Sequence, residues 1–142
     1  MSPIRHALNE YKQTNVAAAV AYADPHTLIT MLFDGLQEKL AVAKGAMERR
    51  DFAVKGAAIG KAIDIIVYLQ ACLDKERGGE IAHNLDTLYE YMMGCLLRAS
   101  SQNSSGLLDE VSSLVREIGA AWATIQVVAN KAPNHELASA IG

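Results

Sequence analysis

Apolar side chains recur at spacings of three and four residues along most of the chain, which is the period of one face of an α-helix. The first such series follows Asp24 and Pro25, a capping carboxylate and then a proline at a position where the missing N–H has no consequence. The series predicts a long helix that ends near Arg50. Its inner face consists of Leu28, Leu32, Leu36, Leu40, Ala43 and Met47.

Three more series follow, and each predicts another amphipathic helix. Asp51 is expected to cap the first of them, which has the inner positions Ile59, Ala62, Ile63, Ile66, Leu69 and Leu73. Gly78 and Gly79 are expected to end that helix and turn the chain, because glycine readily adopts left-handed conformations. The next inner face consists of Ile81, Leu85, Leu88, Met92, Cys95 and Ala99. A polar loop over residues 100–106 then leads to the last series, Leu108, Val111, Val115, Ile118, Trp122 and Ile125.

Four long amphipathic helices with short connections predict an all-α fold, an antiparallel four-helix bundle formed by residues 24–129. Ser2 and Pro3 signal a short additional N-terminal helix. We expect residues 1–23 to form a mobile N-terminal cap and connection, and residues 130–142 to form a frayed tail. With 142 residues in total, the chain is expected to be a single helical-bundle domain.

Composition argues against several functional classes. Thirteen basic and sixteen acidic side chains alternate along the chain and give a net charge of −3, so no basic face for nucleic acid is predicted. The longest purely apolar run, Val16 to Ala23, is far shorter than the roughly 20 residues that span a bilayer. The first residues lack the apolar segment of a secretory signal, so a cytoplasmic protein without membrane insertion is expected. Cys72 and Cys95 are interpreted as reduced thiols in apolar helical surroundings.

The chain contains more apolar residues than a bundle of this size needs. They make up 51% of the sequence, whereas about three positions in seven would cover the core. The surplus lies beside the inner faces, and large apolar patches on monomers usually mark interaction sites. The residues expected to bind a partner are Tyr11, Ile29, Phe33, Ala58, Ile65, Tyr68, Leu69, Cys72, Tyr89 and Met93. A wide core stripe with a homodimer contact remains an alternative, and Ile65→Asp is expected to abolish binding without loss of helix content.

The sequence offers little chemistry for catalysis. Glu80 and His83 have the Glu-x-x-His spacing of di-iron bundles, but a metal site needs a second such pair. His83 falls about 200° from Ile81 on the helical wheel, so it is expected to face outward. We therefore predict no catalytic residues, no metal and no cofactor. A ferritin-like metal enzyme and a self-associating structural bundle remain as alternatives.

Two stretches are specific enough to indicate a family. Residues 74–92 read DKERGGEIAHNLDTLYEYM and residues 24–35 read DPHTLITMLFDG. Together with Ala121 and Trp122 they resemble the flagellar secretion chaperone FliS family, over most of the chain.

The resemblance implies a four-helix bundle with a short N-terminal helix. It also implies a cytoplasmic, non-enzymatic chaperone that binds the disordered C-terminal segment of flagellin, prevents premature polymerisation and delivers flagellin to the flagellar type III export gate. The family's N-terminal tyrosine region, matched here by Tyr11, is implied to cap the binding groove.

Overall fold

A computed structural model of the chain describes the backbone of residues 25–131 and the side chains of residues 25–124. This range is helical and contains no strand. It forms four helices, α1 Pro25–Glu48, α2 Phe52–Ala71, α3 Lys75–Gln102 and α4 Ser105–Lys131. The predicted N-terminal helix lies outside the described residues. So does the predicted tail, except for its first two positions, which belong to the last turn of α4.

Capping side chains set the helix starts. α1 begins at Pro25, as predicted. The Asp51 carboxylate accepts a hydrogen bond of 3.2 Å from the backbone N–H of Val54, so Asp51 caps α2, also as predicted. At the start of α4 the Ser104 hydroxyl accepts from the N–H of Leu107 at 3.3 Å. Side-chain oxygens thus satisfy backbone donors that have no partner within the first turn of a helix.

The connection between α2 and α3 differs from the prediction. α2 already ends at Ala71, and Asp74 caps α3 by accepting from the N–H of Arg77 at 3.1 Å. The predicted turn at Gly78 and Gly79 is therefore wrong in position, because the carboxylate of Asp74 starts a new helix before the glycines are reached. Gly79 does leave the helical conformation, with φ 52° and ψ −127°, and it kinks the first part of α3.

The predicted polar loop over residues 100–106 is also shorter in the structure. α3 continues to Gln102, and only Asn103 and Ser104 separate it from α4. Asn103 ends α3 in the left-handed conformation, with φ 52° and ψ 46°. Asparagine tolerates this conformation better than most residues, so a connection of two residues suffices.

Hydrogen bonds between helices fix their directions. Three pairs of residues join α1 to α4: His26 with Trp122, Gln37 with Ser112, and Lys44 with Asp109. Two residues of α2 bond to α3: Lys55 donates to the Ser100 carbonyl, and Gln70 donates to the carboxylates of Asp86 and Glu90. In both cases the residue numbers rise along one helix as they fall along the other, so the paired helices are antiparallel. Each helix packs against its neighbours in the chain, and α4 packs against α1.

The core lies between the four helices and uses most of the predicted inner positions. The largest fully buried side chains are Leu32, Leu36, Ile66, Leu69, Met92, Leu96, Leu108, Val111, Val115 and Cys95. Ile81 is an exception, because it is 54% exposed although it was predicted to face inward. The next residue, Ala82, is buried instead, so the inner face of α3 runs through Ala82 and Ile81 lies beside it. None of the helices in residues 25–131 combines the length and apolarity that crossing a bilayer demands.

Candidate functional site

The residues predicted to bind a partner lie in three different environments. Tyr11 is outside the described residues. Three are half-buried: Tyr68, Cys72 and Met93. Six are buried: Ile29, Phe33, Ala58, Ile65, Leu69 and Tyr89. The expected open apolar flank on α2 is therefore largely closed, because Ala58, Ile65 and Leu69 belong to the core and only Tyr68 and Cys72 remain partly accessible. Their role in binding stays a prediction.

Burial changes what a substitution at Ile65 would do. This side chain is only 3% exposed and belongs to the central apolar cluster. An aspartate in its place would be a buried charge without a partner, which strongly destabilises a fold. From this burial we expect Ile65→Asp to destabilise the fold instead of leaving the helix content intact, so this variant does not separate binding from folding.

The N-terminal end of α1 and the C-terminal half of α4 are joined by a ring stack. The rings of His26 and Trp122 lie nearly parallel, with centroids 4.4 Å apart and an angle of 10° between their planes. The Trp122 indole N–H donates to the His26 carbonyl at 3.0 Å, and His26 Nε2 lies 2.9 Å from the Trp122 carbonyl oxygen, to which it donates. These contacts hold the indole at both its ring face and its N–H.

Beside the Trp122 indole lies an apolar depression between α3 and α4, which we name the Trp122 cleft. Its volume is about 290 Å³. It is lined by Phe33, Ile81, Leu85, Tyr89, Glu117, Ile118, Ala121 and Trp122. Burial raises the pKa of Tyr89, so its hydroxyl stays uncharged. Glu117 is exposed and is the only side chain of this lining that carries a charge at neutral pH. The cleft is suited to a large apolar side chain of a partner.

A second depression, the α1/α4 groove, lies on the other side of α4. Two cavities of about 590 Å³ and 310 Å³ form it, and both are lined by Gln37 and Arg116. Phe33 and Trp122 line both this groove and the Trp122 cleft, so the two depressions meet at these aromatic rings. A single bound segment that crosses Trp122 would contact both depressions.

Polar groups at the bottom of the α1/α4 groove bond to each other. The Gln37 amide donates to the Ser112 carbonyl at 2.8 Å, and the Ser112 hydroxyl donates to the Gln37 amide oxygen at 2.7 Å. A partner that covers this pair leaves both residues hydrogen-bonded, so it avoids much of the penalty for burying polar groups.

The half-buried residues at the C-terminal end of α2 form a small cluster. Burial raises the pKa of the Cys72 thiol, and burial followed by the nearby Cys72 raises the pKa of Tyr68. Both groups are therefore neutral at physiological pH. Cys72 and Cys95 are both free thiols, as predicted. This cluster offers uncharged, partly accessible surface but no activated nucleophile.

No metal centre is evident in the part of the chain that the structure describes. Within it, no three His, Cys, Asp or Glu side chains come together in a way that could hold a metal ion. Glu80 and His83 are both exposed, and the outward position predicted for His83 is confirmed. The described residues thus give no support to the ferritin-like alternative.

Among the residues that line the two depressions, Phe33 and Tyr89 were predicted to bind a partner, and the others were predicted as core or received no role. Leu85, Ile118 and Trp122 were predicted as inner positions, whereas Arg116 and Gly119 received no role. One signal was available, because small residues surround the large indole in the sequence: Gly119, Ala120, Ala121 and Ala123. Small side chains next to a large one leave space beside it.

Comparison with known proteins identifies the family of the chain. The family model described as Flagellar protein FliS matches residues 7–129. The chain is 51% identical over 116 residues to the flagellar secretion chaperone FliSB of Pseudomonas aeruginosa, which covers 82% of this chain and 92% of that protein. It is 45% identical over 119 residues to flagellar secretion chaperone FliS of Salmonella typhimurium, covering 83% of this chain and 88% of that protein. Over 119 residues it is 41% identical to the Vibrio cholerae protein of the same name, covering 84% and 88%. The chain therefore belongs to the FliS family of flagellar secretion chaperones.

Proposed function

We propose that this chain is a cytoplasmic export chaperone that binds the disordered C-terminal segment of flagellin. In this role it prevents premature polymerisation and delivers flagellin to a component of the flagellar type III export gate. The observation that carries the proposal is the open, apolar Trp122 cleft on a member of a flagellar secretion chaperone family. The function requires binding only, so the protein acts without catalysis and without a cofactor.

The mechanism is masking of apolar surface. A guest segment that forms an amphipathic helix places its apolar residues in a hydrophobic groove instead of on other flagellin molecules. Each large apolar side chain that becomes fully buried contributes about 1.5–3 kcal/mol. The segment also loses conformational freedom when it becomes ordered, which offsets part of this gain. A few anchors therefore give binding that is tight enough to protect flagellin and weak enough to release it.

The proposal also gives a role to the N-terminal residues. The chain enters α1 at Pro25, directly before His26, which is stacked on Trp122. The described part of the chain therefore begins close to Trp122, and Tyr11 precedes Pro25 in the sequence. We propose that the segment before Pro25 covers apolar surface in the free chaperone and that the guest displaces it.

Binding of a synthetic flagellin C-terminal peptide, measured by calorimetry, tests the proposal. Ile81→Glu places a charge at the cleft on a side chain that is 54% exposed, so folding is preserved. We expect affinity for the peptide to fall about tenfold or more, because an apolar contact is replaced by a carboxylate that must be desolvated. Val67→Glu is the matched control, since Val67 is 44% exposed on α2, away from the cleft, and its substitution should leave affinity unchanged.

Light scattering separates the alternatives. A chaperone forms a defined complex with full-length flagellin, whereas a self-associating homodimer keeps the same mass with or without it. Wild-type protein that fails to bind flagellin would refute the proposed function. Equal affinities of the Ile81→Glu and Val67→Glu variants would refute the assignment of the Trp122 cleft.

A further inference from the structure

Arg116 is one of two basic residues that line the α1/α4 groove. It is exposed and lines both cavities of the groove, yet it forms no hydrogen bond or ion pair with any residue of the described range. Lys44 lines the same groove, and its ammonium lies 2.8 Å from the Asp109 carboxylate. Asp34 also lines the groove but forms no ion pair with Arg116. The guanidinium is thus available to an external carboxylate.

The wall next to Arg116 allows close approach. A Cβ atom built on Gly119 would meet no atom within 4 Å, so no packing within the fold requires this glycine. Glycine inside a helix costs about 0.5–1 kcal/mol relative to alanine. Ala41 and Ala123 line the same groove with small side chains. The backbone of a bound helix can therefore lie close to α4, beside a guanidinium that no residue of the described range pairs with.

We infer that the α1/α4 groove binds a helical part of the guest that carries an aspartate or glutamate, which pairs with Arg116. The inference rests on the proposed function and adds the chemistry of one contact to it. Continuity supports it, because the groove meets the Trp122 cleft at Phe33 and Trp122. A guest anchored in the cleft by an apolar residue continues into the groove and presents its carboxylate there.

The charge of the groove argues against two other occupants. A second copy of this chain, bound through the same groove about a two-fold axis near Arg116, would bring two guanidinium groups together, and like charges repel. Nucleic acid is disfavoured because it needs several cations along one face, whereas the chain has a net charge of −3. A helix that carries a carboxylate fits the shape of the groove and pairs with the charge of Arg116.

The test measures affinity for the flagellin C-terminal peptide at low and high salt, with wild-type protein, Arg116→Glu and the control Arg49→Glu. Arg49 is an exposed arginine between α1 and α2 that lines neither cavity of the groove. We expect Arg116→Glu to weaken binding about fivefold at low salt, the size expected when an exposed ion pair is replaced by repulsion. The difference from wild type should shrink at high salt, because salt screens exposed charges. Replacing the pairing acid of the peptide by lysine should restore affinity for Arg116→Glu.

Each outcome decides between the two proposals. If Arg116→Glu binds the peptide as tightly as Arg49→Glu does, the assignment of Arg116 is refuted and the proposed function stands. The same holds if no acid-to-lysine change in the peptide restores binding. If wild-type protein does not bind the peptide at any salt concentration, the proposed function itself fails. A thermal melt of each variant checks that the fold is unchanged.

Discussion

The flank of α2 and the two sides of α4 differ in how much apolar surface they leave open to a partner. Both helices carry apolar residues beyond one inner face, but on α2 the large ones, such as Ile65 and Leu69, are buried in the core. On α4 the residues next to Trp122 are small, and depressions remain on both sides of the helix. The number of apolar residues therefore does not predict where a bundle is open. The sizes of neighbouring side chains decide it, because large ones fill the space between helices and small ones leave it empty.

The largest effect is expected at the closed flank of α2. Ile65→Asp should lower the free energy of unfolding by at least about 3 kcal/mol, because it removes buried apolar volume and introduces a buried charge. Urea denaturation followed by circular dichroism measures the change. Val67→Asp, on the exposed side of the same helix, should change stability by much less. Equal stabilities of the two variants would mean that the flank of α2 is open to water.

The next effect concerns the stack that holds Trp122 between the two depressions. His26→Ala should lower the free energy of unfolding by about 1–3 kcal/mol, since it removes a ring stack and a side-chain hydrogen bond. Trp122 is the only tryptophan, so its fluorescence reports directly on this site. Its emission should shift to longer wavelength as the indole gains contact with water. His83→Ala, at an exposed position, should change neither quantity; a similar change in both variants would contradict a specific role for the stack.

Most of the fold could be predicted because its determinants are local. Pro25 and Asp51 start helices by chemistry that lies within one turn, and their predicted roles are confirmed. Ile81 shows the limit of this approach. Its position fits the spacing of the α3 series, but Ala82 is the buried residue of that turn and Ile81 borders the Trp122 cleft, so spacing alone gave the wrong face.

The candidate site could be predicted only in part, because it depends on contacts between distant segments. His26 and Trp122 are far apart in sequence, and no local pattern indicates that their rings stack. Phe33 and Tyr89 were predicted to bind a partner, and both line the Trp122 cleft although they are largely buried. Arg116 was not predicted, because an exposed arginine on a helix is ordinary until the structure shows that no residue of the described range pairs with it.

A smaller effect on stability is expected at high pH. It concerns Cys72 at the C-terminal end of α2 and Tyr89, which lines the Trp122 cleft. Burial raises the pKa of Cys72 and Tyr89 above their ordinary values of 9.0 and 10.0. A raised pKa of an acidic group means that the unfolded chain loses its proton first. The stability is therefore fully present below pH 9 and falls as the pH rises through and above these values. We expect a loss on the order of 1 kcal/mol for each pH unit from Tyr89, and a smaller loss from Cys72, because the half-buried thiol keeps part of its contact with water.

Urea denaturation between pH 8 and 11 measures this loss. Tyr89→Phe removes one of the ionising groups and keeps the ring, so its stability should fall less steeply with pH than that of wild type. If the free energy of unfolding falls equally with pH in both proteins, then Tyr89 is accessible to water. The boundary between the buried residues of α2 and the Trp122 cleft then does not lie at Tyr89.

The smallest effect is expected from filling the free space beside two glycines, Gly119 on α4 and Gly60 on α2. Gly119 and Gly60 both lie inside helices, and a Cβ atom added at either would meet no atom within 4 Å. Gly119→Ala and Gly60→Ala should therefore each raise the free energy of unfolding by about 0.5–1 kcal/mol, because alanine is the better helix former. Only Gly119 lines the α1/α4 groove, so only its substitution should weaken binding of the flagellin peptide, by about twofold to fivefold as the helix is held away from α4. If both variants gain stability and bind the peptide like wild type, the space beside Gly119 is not used by the guest, and the small residues of α4 serve no binding purpose at that position.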